Sequence, residues 1–380
     1  MEIKKINQGL VLKIIEQNGP LSRADIGKII GLTPPTISAI VNDLIQRNIV
    51  REIGKGNSSG GKKPILLQIN SDTAFMIAID LGGENGLRVA LMNLSYQIVH
   101  EKFGPKIESF HSEKLKNTLS DLLRNFIKEI DIPVEKILHI CVGVPGIIDS
   151  KARKVTVAPY LNWEISLDDL TLSEIGVPII FENDVNLMAL GEKNKGIAQG
   201  FNDFIFVGER NGIGAGIVIN GKLYQGANNA AGEIGYLFID PAYAPENPRD
   251  YGCLEKLASY RVIVEKARKK IDNQICISDV FKLAADGNSV AQEIIKETLR
   301  FLAYGISNVS CILDPELIVI GGGISLLPLC FLEEIRVTLQ KLIPFVPRIE
   351  FSRLGEDGVL IGAAVKVFEP LKKKGLTLIN

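Results

Sequence analysis

The sequence predicts an α/β protein that begins with a small winged helix-turn-helix module. Up to about residue 70, apolar residues recur at helical spacing between helix caps and turn glycines. From Phe75 onward, apolar strands end in glycine turns and alternate with helical stretches, which is typical of an α/β domain. Charge divides at the same place, because residues 1–70 carry a net charge of +5 and the other 310 residues carry −6.

The first part of the N-terminal module reads as two helices. Apolar spacing predicts a first helix of about three turns that ends at Asn18-Gly19-Pro20, where glycine and proline both disfavour continuation. The second helix is expected at Arg23–Ile30. It starts behind a capping box of Ser22 and Asp25, and it ends at Gly31.

The third predicted helix carries the expected base-reading surface. Thr33 is its predicted N-cap, and Pro34 suits its first position, where no amide hydrogen is needed. One face of the helix is apolar. The opposite face has small or amide-bearing side chains that fit base edges in a major groove, namely Pro35, Thr36, Ser38 and Asn42.

A basic loop between two predicted strands, Ile49–Ile53 and Ile65–Ile69, suggests a wing. Glycine and serine surround its three lysines, Lys55, Lys62 and Lys63, which could neutralise DNA phosphates. A solvated hairpin tip is the alternative. Helix order, caps, turn glycine and basic loop agree with one another, and together they favour DNA binding.

The larger C-terminal part is predicted to alternate strands and helices after an opening three-stranded meander. Further strands are expected at 137–144, 179–181, 204–207, 213–219 and 317–320, with helices that include 114–130 and 289–311. Glycine turns follow three of the strands directly. Such turns allow backbone amides to approach a phosphate, although each one alone is more often just a tight turn.

Six motifs, in order and spacing, resemble the repressor, open reading frame, kinase (ROK) family. They are Asp80-Leu81-Gly82-Gly83, Gly143-Val144-Pro145-Gly146, Glu182-Asn183-Asp184-Val185-Asn186, Gly212-Ile213-Gly214-Ala215-Gly216, Ala231-Gly232-Glu233-Ile234-Gly235 and Gly252-Cys253-Leu254-Glu255. The helix-turn-helix in front of them is similar to the repressor branch of that family, which contains the xylose and N-acetylglucosamine repressors.

The resemblance implies a two-lobed actin-like ATPase (ribonuclease-H-like) sugar-kinase fold, with a sugar in the cleft between the lobes. Residues 1–70 would form the winged helix-turn-helix domain. Residues 71–183, together with about 365–380, would form the first lobe, and residues 184–364 the second lobe.

The resemblance also implies the site residues. Asp184 matches the aspartate that takes the proton from the sugar hydroxyl in family kinases, so it is the general base if the chain is a kinase and a sugar contact in either case. Sugar contacts are also expected from Gly146, Asn162, Asn183, Glu233, Tyr236 and Glu255. Nucleotide contacts are expected from Asp80, Gly82, Gly83, Gly212, Gly214, Gly216, Gly321 and Gly322. The alternative for Asn183 and Asp184 is an ordinary helix cap, and Trp163 could line the sugar or belong to the core.

Two departures from the family pattern affect the turns that would bind the nucleotide phosphates. Glu84 stands where the first phosphate turn usually has a threonine, and Glu209-Arg210 replaces part of a Gly-Thr-Gly run. Two acids in these turns should repel ATP. Arg210 could meet a phosphate or pair with Glu84.

The family's zinc ligands are also missing from the sequence. Tyr236 stands at the histidine position, Glu246 and Pro248 at two cysteine positions, and Cys253 alone remains. One thiolate cannot hold structural zinc, so no zinc is expected. No other cofactor is expected, and ATP and Mg²⁺ enter only under the kinase alternative.

These features predict a sugar-responsive transcriptional regulator, a repressor of carbohydrate-utilisation genes. The alternative is an ATP-dependent sugar kinase of the glucokinase or N-acetylglucosamine kinase type, or a bifunctional protein. The expected partners are operator DNA, a small sugar and a second copy of the chain, because two-fold operators need paired recognition helices. Five unclustered cysteines and no membrane segment favour the cytoplasm.

Overall fold

The structure is a computed structural model that describes residues 2–56, 63–83, 86–106, 112–149, 151–157, 165–168, 175–210, 212–247 and 250–377. Its N-terminal module consists of α1 (Glu2–Asn18), β1 (Leu21–Ser22), α2 (Arg23–Ile30), α3 (Pro34–Gln46), β2 (Val50–Lys55) and β3 (Ile65–Ile69). The strands pair antiparallel in the order β1-β3-β2. This arrangement confirms the predicted winged helix-turn-helix.

Most helices of this module begin and end at the caps and glycines that the sequence indicated. Ser22 Oγ accepts from the Asp25 backbone N–H, and Asp25 Oδ2 accepts from the Ser22 N–H, each at 3.2 Å. Gly31 ends α2 in the left-handed region, with a φ of 78°. Thr33 precedes α3 without a side-chain cap bond, because its hydroxyl lies 2.8 Å from that of Thr36.

Helix α1 is longer than predicted, at 17 residues, or nearly five turns. The prediction of about three turns was wrong because it included only the segment whose apolar residues are suited to burial in a core. The extra turns at the N-terminal end instead expose Ile3 and Ile6, whose side chains are 74% and 52% accessible.

The C-terminal part begins with β4 (Phe75–Asp80), β5 (Arg88–Asn93), β6 (Ile98–Phe103), α4 (Ser112–Glu129), β7 (Ile137–Val144), β8 (Ile147–Asp149), β9 (Lys154–Val157), β10 (Ile165–Ser166) and β11 (Ile179–Asn183). The first large sheet has the order β11-β7-β4-β5-β6. In it, β4, β5 and β6 form an antiparallel meander, and β7 and β11 add in parallel beside β4. Strands β8, β9 and β10 form a small separate sheet.

The chain continues with α5 (Asp184–Lys195), β12 (Phe204–Glu209), β13 (Ile213–Ile219), β14 (Lys222–Tyr224), α6 (Cys253–Ala258), α7 (Tyr260–Lys270), α8 (Ile277–Ala285), α9 (Ser289–Leu313), β15 (Leu317–Gly322), α10 (Leu329–Leu342), β16 (Arg348–Phe351) and α11 (Asp357–Lys373). The second large sheet has the order β14-β13-β12-β15-β16. It repeats the first sheet, with an antiparallel meander followed by two parallel strands.

This duplication is the two-lobed actin-like fold that the motifs implied. The sheets divide the chain near the predicted lobe boundary, since the first sheet ends at Asn183 and the second begins at Phe204. The finer domain boundaries remain a prediction. In the part of the chain that the structure describes, no helix is both long and apolar enough to cross a lipid bilayer.

Helices α5 and α11 join the two lobes. Helix α5 packs on β12 and β13 of the second sheet, and α11 packs on β4, β5 and β7 of the first. The two helices approach closely where glycine removes the side chain: a Cβ on Gly191 would lie 2.7 Å from the Gly358 carbonyl oxygen, and one on Gly362 would meet the carbonyl oxygen of Leu187. A tight helix pair is therefore among the contacts that connect the lobes.

Substituting Gly362 by alanine tests this close contact. The new methyl group would force the helices apart, so we expect a loss of about 1–3 kcal/mol in the free energy of unfolding. Gly358→Ala is the matched control one turn earlier, where the nearest atom is a Met188 side-chain carbon at 3.6 Å. Thermal midpoints should fall for Gly362→Ala and stay equal or rise for Gly358→Ala; equal midpoints in both variants would contradict the tight pairing.

Candidate functional site

A buried ion cluster lies in the cleft between the lobes. Asp80 ends β4, Arg210 follows β12, and Asp184 begins α5. The Arg210 guanidinium donates from Nη1 and Nη2 to Asp80 Oδ1 and Oδ2 at 3.1 and 2.7 Å, and from Nη1 to Asp184 Oδ2 at 2.9 Å. All three side chains are at most 6% exposed. One guanidinium thus binds both Asp80, the first residue of the first glycine-turn motif, and Asp184, the predicted general base.

The electrostatics of the cluster shift the pKa of Asp184 upward. Burial raises the pKa of Asp184 to about 6, although the Arg210 charge opposes this and the Asp80 charge adds to it. Burial lowers the pKa of Arg210, but the charges of Asp80 and Asp184 outweigh burial and raise it above its ordinary value. Arg210 therefore remains a cation.

Two further carboxylates complete the acidic part of the cleft. Burial raises the pKa of Glu233 to about 7, and the nearby charges of Glu255 and Asp184 raise it as well. The Glu255 oxygens accept from the Ile213 and Gly252 backbone N–H groups, each at 3.1 Å. The structure therefore brings together the three predicted sugar-contacting acids, and it uses Glu255 to cap α6.

Tyr236 lies beside these acids in the short helical turn Ile234–Tyr236. Its hydroxyl donates to the Asp250 carbonyl oxygen at 3.1 Å. Burial, with the charges of Glu255 and Glu233, raises its pKa to about 12, so the hydroxyl stays protonated. The ring therefore brings a neutral hydroxyl to the place where the family pattern has a histidine.

Asn183 has the cap role that was its alternative interpretation. Its Oδ1 accepts from the Asn186 backbone N–H at 3.0 Å and caps α5. Its Nδ2 donates to the Gly146 carbonyl oxygen at 3.1 Å, and Gly146 has a φ of 128°. The sugar contacts of Asn183 and Gly146 remain predictions.

The first glycine turn lies against the ion cluster. A Cβ on Gly82 would lie 2.9 Å from Asp184 Oδ2 and 3.3 Å from Arg210 Nη1, and one on Gly83 would lie 2.6 Å from the Gly86 carbonyl oxygen. Gly82 N–H donates to Asp80 Oδ1 at 2.9 Å. The turn therefore packs against Arg210.

The other two glycine turns also lie in tight packing. Gly214 and Gly216 face Val185 and Ala189 of α5, and Gly212 faces the Glu255 carboxylate. Gly321 lies against the Phe206 ring, and Gly322, with a φ of 84°, lies beside the Glu209 backbone carbonyl. These close contacts account for the glycines without a nucleotide, and the predicted nucleotide contacts remain untested.

Glu182 and Arg210 are the cleft residues whose roles the sequence did not reveal. Glu182 accepts from Lys366 Nζ of α11 at 2.5 Å, from Gln225 Nε2 at 2.9 Å and from Asn186 Nδ2 at 3.0 Å. It joins the first sheet to α11, α5 and the segment after β14. Its position inside a motif was the available signal, but nothing in the sequence identified these partners.

The predicted DNA-contacting residues occupy the expected surface of the N-terminal module. Pro35, Asn42, Lys55 and Lys63 are exposed, and Thr36 and Ser38 are partly exposed. Arg23, which the sequence analysis did not select, donates to Asn42 Oδ1 at 3.2 Å and to Glu52 Oε1 at 3.0 Å. Lys62, Asn162, Trp163 and Glu84 lie outside the described residues.

The sulfur of Cys253 makes hydrogen bonds within the fold. Its buried sulfur accepts from the backbone N–H groups of Ile239 and Asp240 and donates to the Asp240 carbonyl oxygen, each at 3.3 Å. Among the residues that the structure describes, no three His, Cys, Asp or Glu side chains are grouped to hold a metal ion.

A duplicated two-lobed module with an acidic cleft, joined to a winged helix-turn-helix, defines a sugar-kinase-like protein with a DNA-binding domain. The chain belongs to the ROK family, whose family model matches residues 76–368, and residues 6–51 match a winged helix-turn-helix DNA-binding domain. The earlier resemblance is therefore confirmed.

Repressors are among the similar proteins. The xylose repressor of Caldicellulosiruptor bescii is 32% identical, with 97% of each chain covered. The xylose repressor of Bacillus subtilis is 30% identical over 96% of this chain and 92% of its own. The Escherichia coli DNA-binding transcriptional dual regulator NagC is 28% identical over 85% of this chain and 82% of its own.

Solved structures support the same fold. A ROK family transcriptional regulator, described as a homologue of the E. coli Mlc protein, has a TM-score of 0.80 at 26% identity and covers 100% of this chain and 99% of its own. A ROK family glucokinase from Streptomyces griseus has a TM-score of 0.66 at 23% identity and covers 77% of this chain and 98% of its own.

Replacing Glu233 by glutamine should change how stability depends on pH. Because the folded-state pKa of Glu233, about 7, exceeds the ordinary 4.5, its ionisation destabilises the fold as the pH rises from 5 to 8. The wild type should therefore lose about 2–3 kcal/mol more than the Glu233→Gln variant over that range. Thermal midpoints at pH 5 and pH 8 measure this difference.

The control for this experiment is Glu293→Gln, at a glutamate of α9 with 71% side-chain exposure. This variant should keep the wild-type pH dependence. Parallel curves for the wild type and the Glu233→Gln variant would mean that Glu233 is solvated rather than held in the acidic cleft.

Proposed function

We propose that the protein is a sugar-responsive transcriptional repressor without kinase activity. Its winged helix-turn-helix would bind operator DNA, and its cleft would bind a small neutral sugar that controls this binding. The names of the xylose repressors and NagC support this function, because these relatives align across both modules. The proposed place of action is the cytoplasm, where operator DNA is accessible.

The position of Arg210 is the main support for this proposal. A family kinase needs Mg²⁺ and the ATP phosphates near the first glycine turn and the general base. Here the Arg210 guanidinium already binds Asp80 with two hydrogen bonds and Asp184 with a third. A metal ion would have to displace a buried, paired cation, so the residues present do not fit a Mg²⁺–nucleotide complex.

The cleft suits a neutral sugar because its polar groups match hydroxyls. Asp184, Glu233 and Glu255 supply acceptors, the raised pKa of Glu233 lets it also donate when protonated, and Tyr236 supplies a hydroxyl. Fixed donors and acceptors favour one arrangement of ring hydroxyls, since a mismatched sugar would leave buried groups unpaired. The acidic charges of Asp184, Glu233 and Glu255 would repel a phosphorylated sugar.

A sugar kinase remains the second candidate because Asp184, the predicted general base, is present. Hydrogen bonding to Arg210 engages Oδ2 of that carboxylate, while Oδ1 accepts from the Val185 N–H at 2.9 Å. Asp184 would therefore have to exchange a charged partner before taking a proton from a sugar, which favours the regulator.

Fluorescence anisotropy with the DNA upstream of the protein's own gene tests the function. Titrations at fixed salt, with and without xylose, glucose or N-acetylglucosamine, should give sequence-preferring binding that one sugar changes by about 5–150-fold. The proposed second copy predicts that one operator binds two chains. An ATP-coupled assay with the same sugars should give no product; binding without sequence preference together with sugar-dependent ADP release would establish the kinase instead.

The Asp184→Asn variant should separate sugar binding from DNA binding. Removing the charge weakens a predicted sugar contact and leaves Arg210 less well paired, so we expect sugar affinity to fall by about tenfold or more. Calorimetry measures this affinity, and operator affinity without sugar should stay within about threefold of wild type. Asp286→Asn, at an exposed helix end, is the matched control. Unchanged sugar affinity in Asp184→Asn would remove Asp184 from the site.

A further inference from the structure

A buried charge cluster connects the DNA-binding module to the rest of the protein. Lys372, close to the end of α11, donates from Nζ to Glu16 Oε1 of α1 and to Tyr96 Oη, each at 2.7 Å. The Tyr96 hydroxyl donates to Glu369 Oε1 at 2.7 Å. The Lys372 side chain is only 5% exposed. A buried ammonium group is costly without partners, so its position depends on Glu16 and Tyr96.

The Tyr96 ring is the point where three parts of the molecule meet. Tyr96 itself lies in the turn between β5 and β6 of the first lobe, with a φ of 63°. Lys372 Nζ lies 3.9 Å from its ring centroid, and Lys195 Nζ, from the last residue of α5, lies 5.1 Å from the same centroid. Because α5 packs on the second sheet and Glu16 belongs to α1, both lobes and the DNA-binding module contribute to this one cluster.

Other contacts fasten the DNA-binding module at the same place. Arg47, which follows α3, donates from Nη1 to the Gly375 carbonyl oxygen at 3.0 Å and from Nη2 to that of Leu376. A Cβ on Gly9 of α1 would lie 2.5 Å from the Lys373 carbonyl oxygen. Helix α1 therefore packs on the end of α11, and the residue that follows α3 binds the carbonyl groups just beyond that end.

Helix α5 connects this cluster to the sugar site. Asp184 is its first residue and Lys195 its last, and 12 residues of α-helix span about 18 Å. The helix is stiff over that length. A displacement of α5 relative to α11 at the cleft would consequently move Lys195 relative to Tyr96 and Lys372.

We propose that Tyr96, Lys195 and Lys372 form a joint that transmits sugar occupancy from the cleft to the DNA-binding module; this inference rests on the proposed function. Sugar binding shifts α5 along α11, and the Lys195 charge changes its distance from the like charge of Lys372. The Lys372–Glu16 ion pair then favours a different position of α1. The sugar drives this change by the difference between its affinities for the two arrangements.

The test measures how strongly sugar and operator affect one another in Lys195→Met and Tyr96→Phe variants. Lys195→Met removes the charge that moves with α5, and Tyr96→Phe keeps the ring while removing the hydroxyl between Lys372 and Glu369. The readout is the ratio of operator Kd values with and without saturating D-xylose, or N-acetylglucosamine if the wild type responds to that sugar. Each variant should reduce this ratio by about 2- to 30-fold.

Separate titrations distinguish a joint from a structural role. Sugar affinity without DNA and operator affinity without sugar should each stay within about threefold of wild type, and thermal midpoints report folding. The matched control is Lys270→Met, at the last residue of α7, where Lys270 pairs with Glu293 at 3.8 Å. It should leave the ratio unchanged.

The outcomes separate the two proposals. A wild-type ratio of one would overturn the proposed function, and the joint with it. A large wild-type ratio that both folded variants retain would overturn the joint alone. A similar reduction of the ratio in the Lys270→Met control would also overturn the joint. The reduction would then result from removing any lysine at a helix end.

Discussion

The cleft depends on one guanidinium that satisfies two buried aspartates. Asp80 closes the first strand of one lobe, and Asp184 opens the helix that packs on the other, so Arg210 holds together groups from both sides of the cleft. Removing Arg210 would leave both buried aspartates without this counterion, and breaking a buried ion pair in that way typically destabilises a protein by about 3–5 kcal/mol. The geometry of the sugar site and the start of α5 therefore both rely on this residue.

The same cation is the main structural argument for the proposed absence of kinase activity. In a phosphoryl-transfer enzyme, bound metal and phosphate bring positive and negative charge into the cleft, and the empty site carries unbalanced carboxylates. Here an arginine of the chain itself supplies the positive charge. Because Arg210 pairs with both Asp80 and Asp184, these two aspartates depend less on a bound metal ion for their counterion.

The sequence predicted those features whose causes are local. The bounds of α2, β4, β7 and β13 follow from caps, glycines and apolar periodicity within each segment. The order and spacing of the six motifs similarly identified the fold and predicted that Asp184, Glu233 and Glu255 lie in one cleft. Partners distant in the chain were not predictable, because Arg210 could equally well have paired with Glu84, and nothing local connects Lys372 with Glu16, 356 positions away. The length of α1 was missed for a related reason, since its first turns have no buried face to mark them.

The duplicated architecture explains why one helix pair can serve both recognition events. The outer face of each large sheet has a core of its own, whereas the inner faces of both sheets share one core with α5, α11 and the DNA-binding module. A displacement of α5 relative to α11 would therefore affect all three parts. Glycines at that contact bring backbone against backbone, Gly191 against Gly358 and Gly362 against Leu187. Helix α5 begins at Asp184, the predicted sugar contact, and the DNA-binding module contacts the end of α11. Under the proposed joint, a displacement of α5 in the cleft would therefore reach α1 through the end of α11, where Lys372 binds Glu16.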